Sequence, residues 1–364
     1  MSVAKIYSGP AKVILCSSGD TPIKVLQAEG EAGVVNLSLN TERVKRYSAF
    51  GGYEGTNPMD QTAKISLTPF DDWSALPCLF PFAVVGCTGA TPSKGLLLPG
   101  MRAHDKQAGG LNAAPTLDGC GSTQLWTPSG TLWRIVRTAI TKHPSLKLGP
   151  GMPFFGGIEI TGLVDPAMVL GAAGALIDTT LHVAGTGTAT GVGGDSSPVA
   201  DPATDAFKGG FINGLWTGLW GSTGAFGTAP TGMVGLESDG GWELSCDAKY
   251  GVSKGAGRTY HMSFEGVEFA IKGKLIGPTA SAMQAIALAY SLGQDVSAAT
   301  PGTSLVLAGP GTKTITLNNC IPMMESSGYQ FGGSALTVGE IAFVTSVTYD
   351  ASAVPDVVLQ FSAA

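Results

Sequence analysis

Asp71 and Asp72 stand side by side, and paired carboxylates can share general acid and base work. Just ahead of a short helix-like stretch they read more simply as partners for the positive end of a helical turn. The four histidines, His104, His143, His182 and His261, are far apart, and neither H-E-x-x-H nor G-x-S-x-G occurs. Cys16, Cys78, Cys87, Cys120, Cys246 and Cys320 form no C-x-x-C pair and have no histidine at ligand spacing. That pattern argues against a zinc site or a disulfide framework and for buried free thiols. The stretch GTGTATG, residues 185–191, misses G-x-G-x-x-G by one position and precedes no helix pattern. AGPGTKT near Gly309 approaches a P-loop but has Gly-Thr-Lys-Thr, and it reads as a hairpin turn. We therefore expect no enzyme, no cofactor and no metal.

Clustered basic residues could line a nucleic-acid groove. Arg43, Lys45 and Arg46 cluster in TERVKRYS, and Lys272 and Lys274 alternate along one stretch, but the chain carries a formal net charge of −6. Tight binding through phosphate neutralisation needs the opposite sign. These residues read as solvated strand faces or as salt-bridge partners of a neighbouring subunit.

Composition points to such neighbours. Glycine supplies 53 of 364 residues, roughly twice the usual share, and charged residues make up 13% against a usual ~25%. With a mean hydropathy of +0.23, much of the surface is expected to meet other protein. The longest apolar runs, Ala167 to Ile177 and the proline-broken Leu76 to Cys87, are shorter than the roughly 18–20 residues of a membrane helix. MSVAKIYSGP lacks the pattern of a secretory signal, so synthesis in the cytoplasm and no membrane insertion are expected.

The elements that must position these residues are mostly strands. Alternating or β-branched runs bounded by Gly, Pro or Asx appear in AKVILC, IKVLQA, GVVNLSLN, TAKISLT, TLWRIVRTAITK and GIEITGLV. More follow in WELSCDAK, TYHMSFEGVEFAIKGKL, TSLVLA, TKTITLNN, EIAFVTSVTYD and VVLQFS. The expected fold is mainly β, an antiparallel β-sandwich or barrel with a flanking α-helix at about 279–292, where Met283, Ile286, Ala287 and Tyr290 share a stripe behind Thr279. Pro77 and Pro81 limit a second helical stretch to a short turn from about Phe70 to Leu76.

The order strand, loop, strand, proline-led helix occurs twice. Leu37-Ser38 matches Leu244-Ser245, Pro69 matches Pro278, and Ala139-Ile140 matches Cys320-Ile321, each of the last two leading to FGG. The expected organisation is a first β domain at 1–177 with an extra loop at about 92–130, a Gly-rich connector at 178–241, and a second β domain at 242–364. Phe211, Trp216, Trp220 and Phe226 are set among the connector's glycines and are expected to dock on a neighbouring subunit or ring.

The chain resembles the tail tube proteins of long-tailed, non-contractile bacteriophages. The residues that carry the resemblance are IYSGPAKVILC, VVNLSLNTERV with a long loop into TAKISLTPFDDW, TLWRIVRTAITKHPSLKLG with FGGIEITGLV, and FEGVEFAIKGKLIGPTASAM. The resemblance implies a structural virion protein whose homo-oligomeric rings stack into a tube, with other tail proteins as partners and DNA passing without sequence readout. It also implies a continuous inner β-barrel closed between subunits, in hexameric rings, or trimeric rings if the fold is duplicated. Strand alternation sets Ile158 and Ile160 against Glu159, and Val267, Phe269 and Ile271 against Glu268 and Lys272. Glu159, Glu268 and Glu340 are candidates for an acidic lumen wall or for an outer, solvated surface. A β-sandwich adhesin or carbohydrate-binding module, stacking Trp216 and Trp220 on sugars, is the alternative, beside another virion structural protein.

Overall fold

The computed structural model describes residues 11–16, 22–29, 34–80, 83–86, 121–126, 132–162, 177–178, 213–222, 234–255, 258–276, 303–318, 320–323, 329–330, 337–348 and 359–363. Among them the chain is mainly antiparallel β. The first sheet has the order β2-β1-β6-β7-β9-β4-β3 with β10 added to β7. Its strands are β1 (Lys12–Cys16), β2 (Pro22–Gln27), β3 (Asn36–Tyr47), β4 (Tyr53–Leu67), β6 (Gly121–Trp126), β7 (Leu132–Lys142), β9 (Ile158–Gly162) and β10 (Ile177–Asp178). The second sheet, β12-β11-β15-β16-β20-β5, contains β5 (Ala83–Gly86), β11 (Thr217–Ser222), β12 (Val234–Leu236), β15 (Thr303–Ala308), β16 (Lys313–Leu317) and β20 (Leu359–Ala363). The third, β17-β19-β14-β13-β8 with β18 added to β19, contains β8 (Leu146–Leu148), β13 (Ser238–Gly255), β14 (Arg258–Ile276), β17 (Ile321–Met323), β18 (Tyr329–Gln330) and β19 (Thr337–Thr348).

Alternation explains the layering. In β9, Ile158 and Ile160 enter the core and Glu159 turns out; in β14, Val267, Phe269 and Ile271 are buried and Glu268 is exposed. AKVILC is apolar without alternation because β1 is covered on both sides. Val13 and Leu15 join the main core, and Ile14 and Cys16 form a second cluster with Val25 on the reverse face.

Two sections of the chain share one plan. β3-β4-β9-β7 and β13-β14-β19-β17 have the same strand order, each built on a hairpin. The paired row Leu37–Ile65–Ile160–Ile140 in one corresponds to Leu244–Ile271–Phe343–Pro322 in the other. The match of Leu37 with Leu244 expected from sequence is kept. Ile140 corresponds to Pro322, one residue beyond the sequence match. The hydrogen bonding does not stop at the sequence borders drawn above: β8 pairs with β13, β5 pairs in parallel with β20, and β11 pairs with β15. One hydrophobic cluster spans all three sheets.

The flanking helix expected at 279–292 lies outside the described residues. The short helical turn expected from about Phe70 to Leu76 is displaced: a 3-10 turn at Trp73–Ala75 leads into α1 (Leu76–Leu79), which includes Pro77 because proline is tolerated in a first turn. Trp73 sits where elements meet: its ring lies 6.3 Å from Trp216, 6.0 Å from Phe361 and 5.9 Å from Phe154.

Tryptophans reach the sheets by lying over glycines. A Cβ at Gly309 would come within 2.6 Å of the Trp216 ring, and one at Gly273 within 2.5 Å of Trp242. Gly273→Ala is expected to lower stability by about 1–3 kcal/mol through overpacking. Gly235→Ala, on β12 with nothing within 4 Å of its added carbon, should leave the denaturant midpoint nearly unchanged. Equal midpoints for the two variants would contradict this packing.

Candidate assembly interface

The acidic residues singled out from sequence lie on outward sheet faces, two of them beside lysines. Glu159 lies 3.8 Å from Lys64 on the neighbouring β4, and Glu340 lies 3.9 Å from Lys272. Glu268 is exposed and stands directly opposite Asp247 on β13, a like-charged pair. Across the outer face of the third sheet, Lys147 faces Glu243, Glu243 faces Lys272, and Lys274 is flanked by Asp239 and Glu340. The face is therefore a lattice of alternating charge, nearly balanced. Exposed pairs of this kind contribute little to stability, and their main effect is to keep the surface wet.

The outer face of the second sheet is different in kind. Its rows run Leu219–Val306–Thr316–Gln360 and Thr217–Ala308–Thr314, without an ionisable group. Its β11 side is open to solvent: Leu215 is 75% and Leu219 36% exposed.

The tryptophans expected to dock on a neighbour are instead core residues of their own chain. Trp216 and Trp220 are each 3% exposed. Trp216, Gly218 and Trp220 alternate along one side of β11, so all three face inward, and the Trp216 indole N–H donates to the Asn213 side-chain oxygen at 3.0 Å. The outward residues are the intervening Leu215, Thr217 and Leu219. Phe211 and Phe226 lie outside the described residues.

The long loop expected after VVNLSLNTERV is a continuous hairpin. β3 and β4 pair from Asn36↔Ser66 to Tyr47↔Tyr53, and the turn is closed by Ser48 and Gly52 with Gly51 at φ 78°. β4 pairs with β9 only over Ala63–Leu67, so residues 53–61 carry the hairpin about 30 Å beyond that pairing. At its tip Phe50 is fully exposed, and the rings of Tyr47 and Tyr53 meet in a T-shaped contact, 6.1 Å between centroids. β13 and β14 form a second arm that likewise continues past the last pairing of β14 with β19, at Gly266. Sequence reading missed the first arm because bulges at Glu42/Arg43 and Arg46/Tyr47 break its alternation. The motif Ala49-Phe50-Gly51-Gly52 was its available turn signal.

Buried polar groups fix the bases of these elements. Asp71 and Asp72 stand just ahead of the 3-10 turn at Trp73–Ala75, and their carboxylates tie distant segments together. The Phe154 N–H donates to Asp71 at 2.9 Å, while Lys24, 1% exposed, donates to Asp72 at 2.6 Å. Burial raises the Asp71 carboxyl above its ordinary range, partly offset by the N–H groups of Phe154 and Phe155. His143, between β7 and β8, has Nδ1 2.8 Å from the Leu79 carbonyl and Nε2 2.9 Å from the Tyr250 hydroxyl, which lies 2.6 Å from the Ile140 carbonyl. This joins α1 and β7 to the base of the second arm. Burial lowers His143 to about 4, and the Leu79 contact opposes that only in part.

Cys16, Cys78, Cys246 and Cys320 form no disulfide among the described residues, and burial pushes the Cys320 thiol up to about 12. Cys87 and Cys120 lie outside the described residues. Among the described residues no group of His, Cys, Asp or Glu has the geometry to hold a metal, and no helix is long and apolar enough to cross a membrane. The sequence matches no known protein family and no curated protein.

Two outcomes follow from the buried groups. The unfolded chain binds a proton at His143 between about pH 4 and 6.5 and the folded chain does not, so stability falls as pH falls through that window and is fully present above it. The loss should reach about 3 kcal/mol in denaturant titrations and be absent from His143→Asn, compared as wild type minus variant. Separately, Asp72→Asn should cost about 3 kcal/mol by leaving Lys24 buried without its carboxylate, whereas Lys24→Met with Asp72→Leu should cost much less. Equal losses in the single and double variants would count against a desolvated pair.

Proposed function

We propose that this protein is the subunit of a phage tail tube: a structural virion protein that forms stacked rings around a channel through which DNA passes during ejection. The observation that carries the reading is the repeated section, β3-β4-β9-β7 and β13-β14-β19-β17, with corresponding registers in one chain. Two such sections per chain give a trimer six similar units around its axis, each with a hairpin extending past its sheet. The scarcity of charge supports assembly, because a chain with 13% charged residues gains by covering its remaining faces.

In this reading the outer face of the third sheet is the surface offered to DNA. Phosphates arrive at one charge per about 1.7 Å of duplex, and a basic wall would hold them through counterion release. Here each lysine of the Lys147–Glu243–Lys272 row adjoins an acid, and Glu268 with Asp247 adds negative charge. Such a wall repels weakly and grips nowhere. The carbohydrate-binding alternative loses its main support, since Trp216 and Trp220 are buried and present no ring to a sugar.

Negative-stain electron microscopy of the purified protein, with rotational averaging, is the test. Annuli with threefold symmetry and six similar lobes, stacking into tubes, are the expected result. A folded monomer that stays monodisperse at high concentration would overturn the proposal, and rings of six chains would overturn the trimer.

A further inference from the structure

We infer that the aromatic tip of the β3–β4 arm seats on the uncharged outer face of the second sheet, at β11, in a second copy of this chain. The inference rests on the ring-subunit reading and names the two surfaces that meet. The tip cannot satisfy itself at home: about 30 Å of hairpin separates it from the β4–β9 pairing, and Phe50 touches solvent on every side. A fully exposed phenylalanine between two half-open tyrosines is an anchor of the type that dominates protein contacts when it enters an apolar site.

The same chain carries a surface of matching chemistry. The β11 side presents Leu215, Thr217 and Leu219 on a sheet face without ionisable groups, so an aromatic tip meets no charge that must be desolvated. The outer face of the third sheet, by contrast, carries charges in the rows of Glu243 with Lys272, Asp239 with Lys274, and Asp247 with Glu268. Charge at the margins agrees with the seating. Lys45 and Arg46 are exposed on the arm strand that leads to the tip, and Glu237 is exposed just past β12, the strand that flanks β11, whereas Asp239 beyond it is paired with Lys274. Attraction between the Lys45–Arg46 edge and Glu237 would steer the arm and fix its direction.

Each copy offers one arm and one β11 face, so the contact is head-to-tail and repeats from copy to copy. It explains why Trp216 and Trp220 point inward while leucines point out: the indoles hold β11 in the core, and the leucines are left for the neighbour.

The test places a photo-crosslinking benzoylphenylalanine at position 50 of the full chain and maps the crosslinks by mass spectrometry, beside sedimentation of Phe50→Ser and Lys45→Glu with Arg46→Glu. Crosslinks to residues 215–219 or 234–237 of another copy are expected. Both variants should raise the dissociation constant at least tenfold with an unchanged denaturation midpoint, and Glu237→Lys should restore association of the arm-reversed chain. Rings that form normally with crosslinks confined to other surfaces would overturn the seating and leave the ring reading intact. Folded protein that forms no rings at all would overturn both.

Discussion

The contact on which the rest of this molecule depends is the burial of Trp73 between elements brought from four parts of the chain. Its ring meets Phe154 before β9, Trp216 at the start of β11 and Phe361 in β20, and Lys313 lies over it at 5.9 Å. Few of these residues could form a core alone, because each strand offers only one apolar face. Gathered on one indole, they turn three sheets into a single hydrophobic cluster. Tight packing sets the composition as well: the tryptophans reach their places only where Gly273, Gly309 and Gly218 supply no side chain.

Polar groups inside this packing act over long sequence distances. Lys24 meets Asp72, Asp71 receives the Phe154 amide, and His143 bridges Leu79 and Tyr250. Each is costly to bury alone and tolerable only with its partner in place, so each ties the position of one sheet to that of another. The outer surfaces then divide by chemistry, one sheet face studded with alternating charge and one with none.

Much of the β character could be read directly. GIEITG, WELSCD and EFAIKGKL alternate, and their large apolar residues and their acids fall on the sides that alternation assigns, although Thr161 and Ala270 on the outward side are also buried. The repeat was visible in Leu37-Ser38 and Leu244-Ser245 for the same reason. What escaped had masked periodicity or distant partners. β11 was hidden because the middle of its inward pattern is Gly218, which carries no hydrophobic signal. The first arm was hidden by its two bulges and by polar residues on both sides. Nothing near Lys24 in sequence marks its burial or announces Asp72.

The parallel seam between β20 and β5 has a consequence for the order of events in the cell. Ala83–Gly86 finds its sheet neighbour in Leu359–Ala363, which leaves the ribosome long after it. Such late closure makes for slow maturation. It also means that a nascent chain still being translated lacks the strand that seats Phe361 against Trp73 and Phe80. Synthesis itself thus acts as a timer: the packing around Trp73 is complete only once translation has passed Phe361.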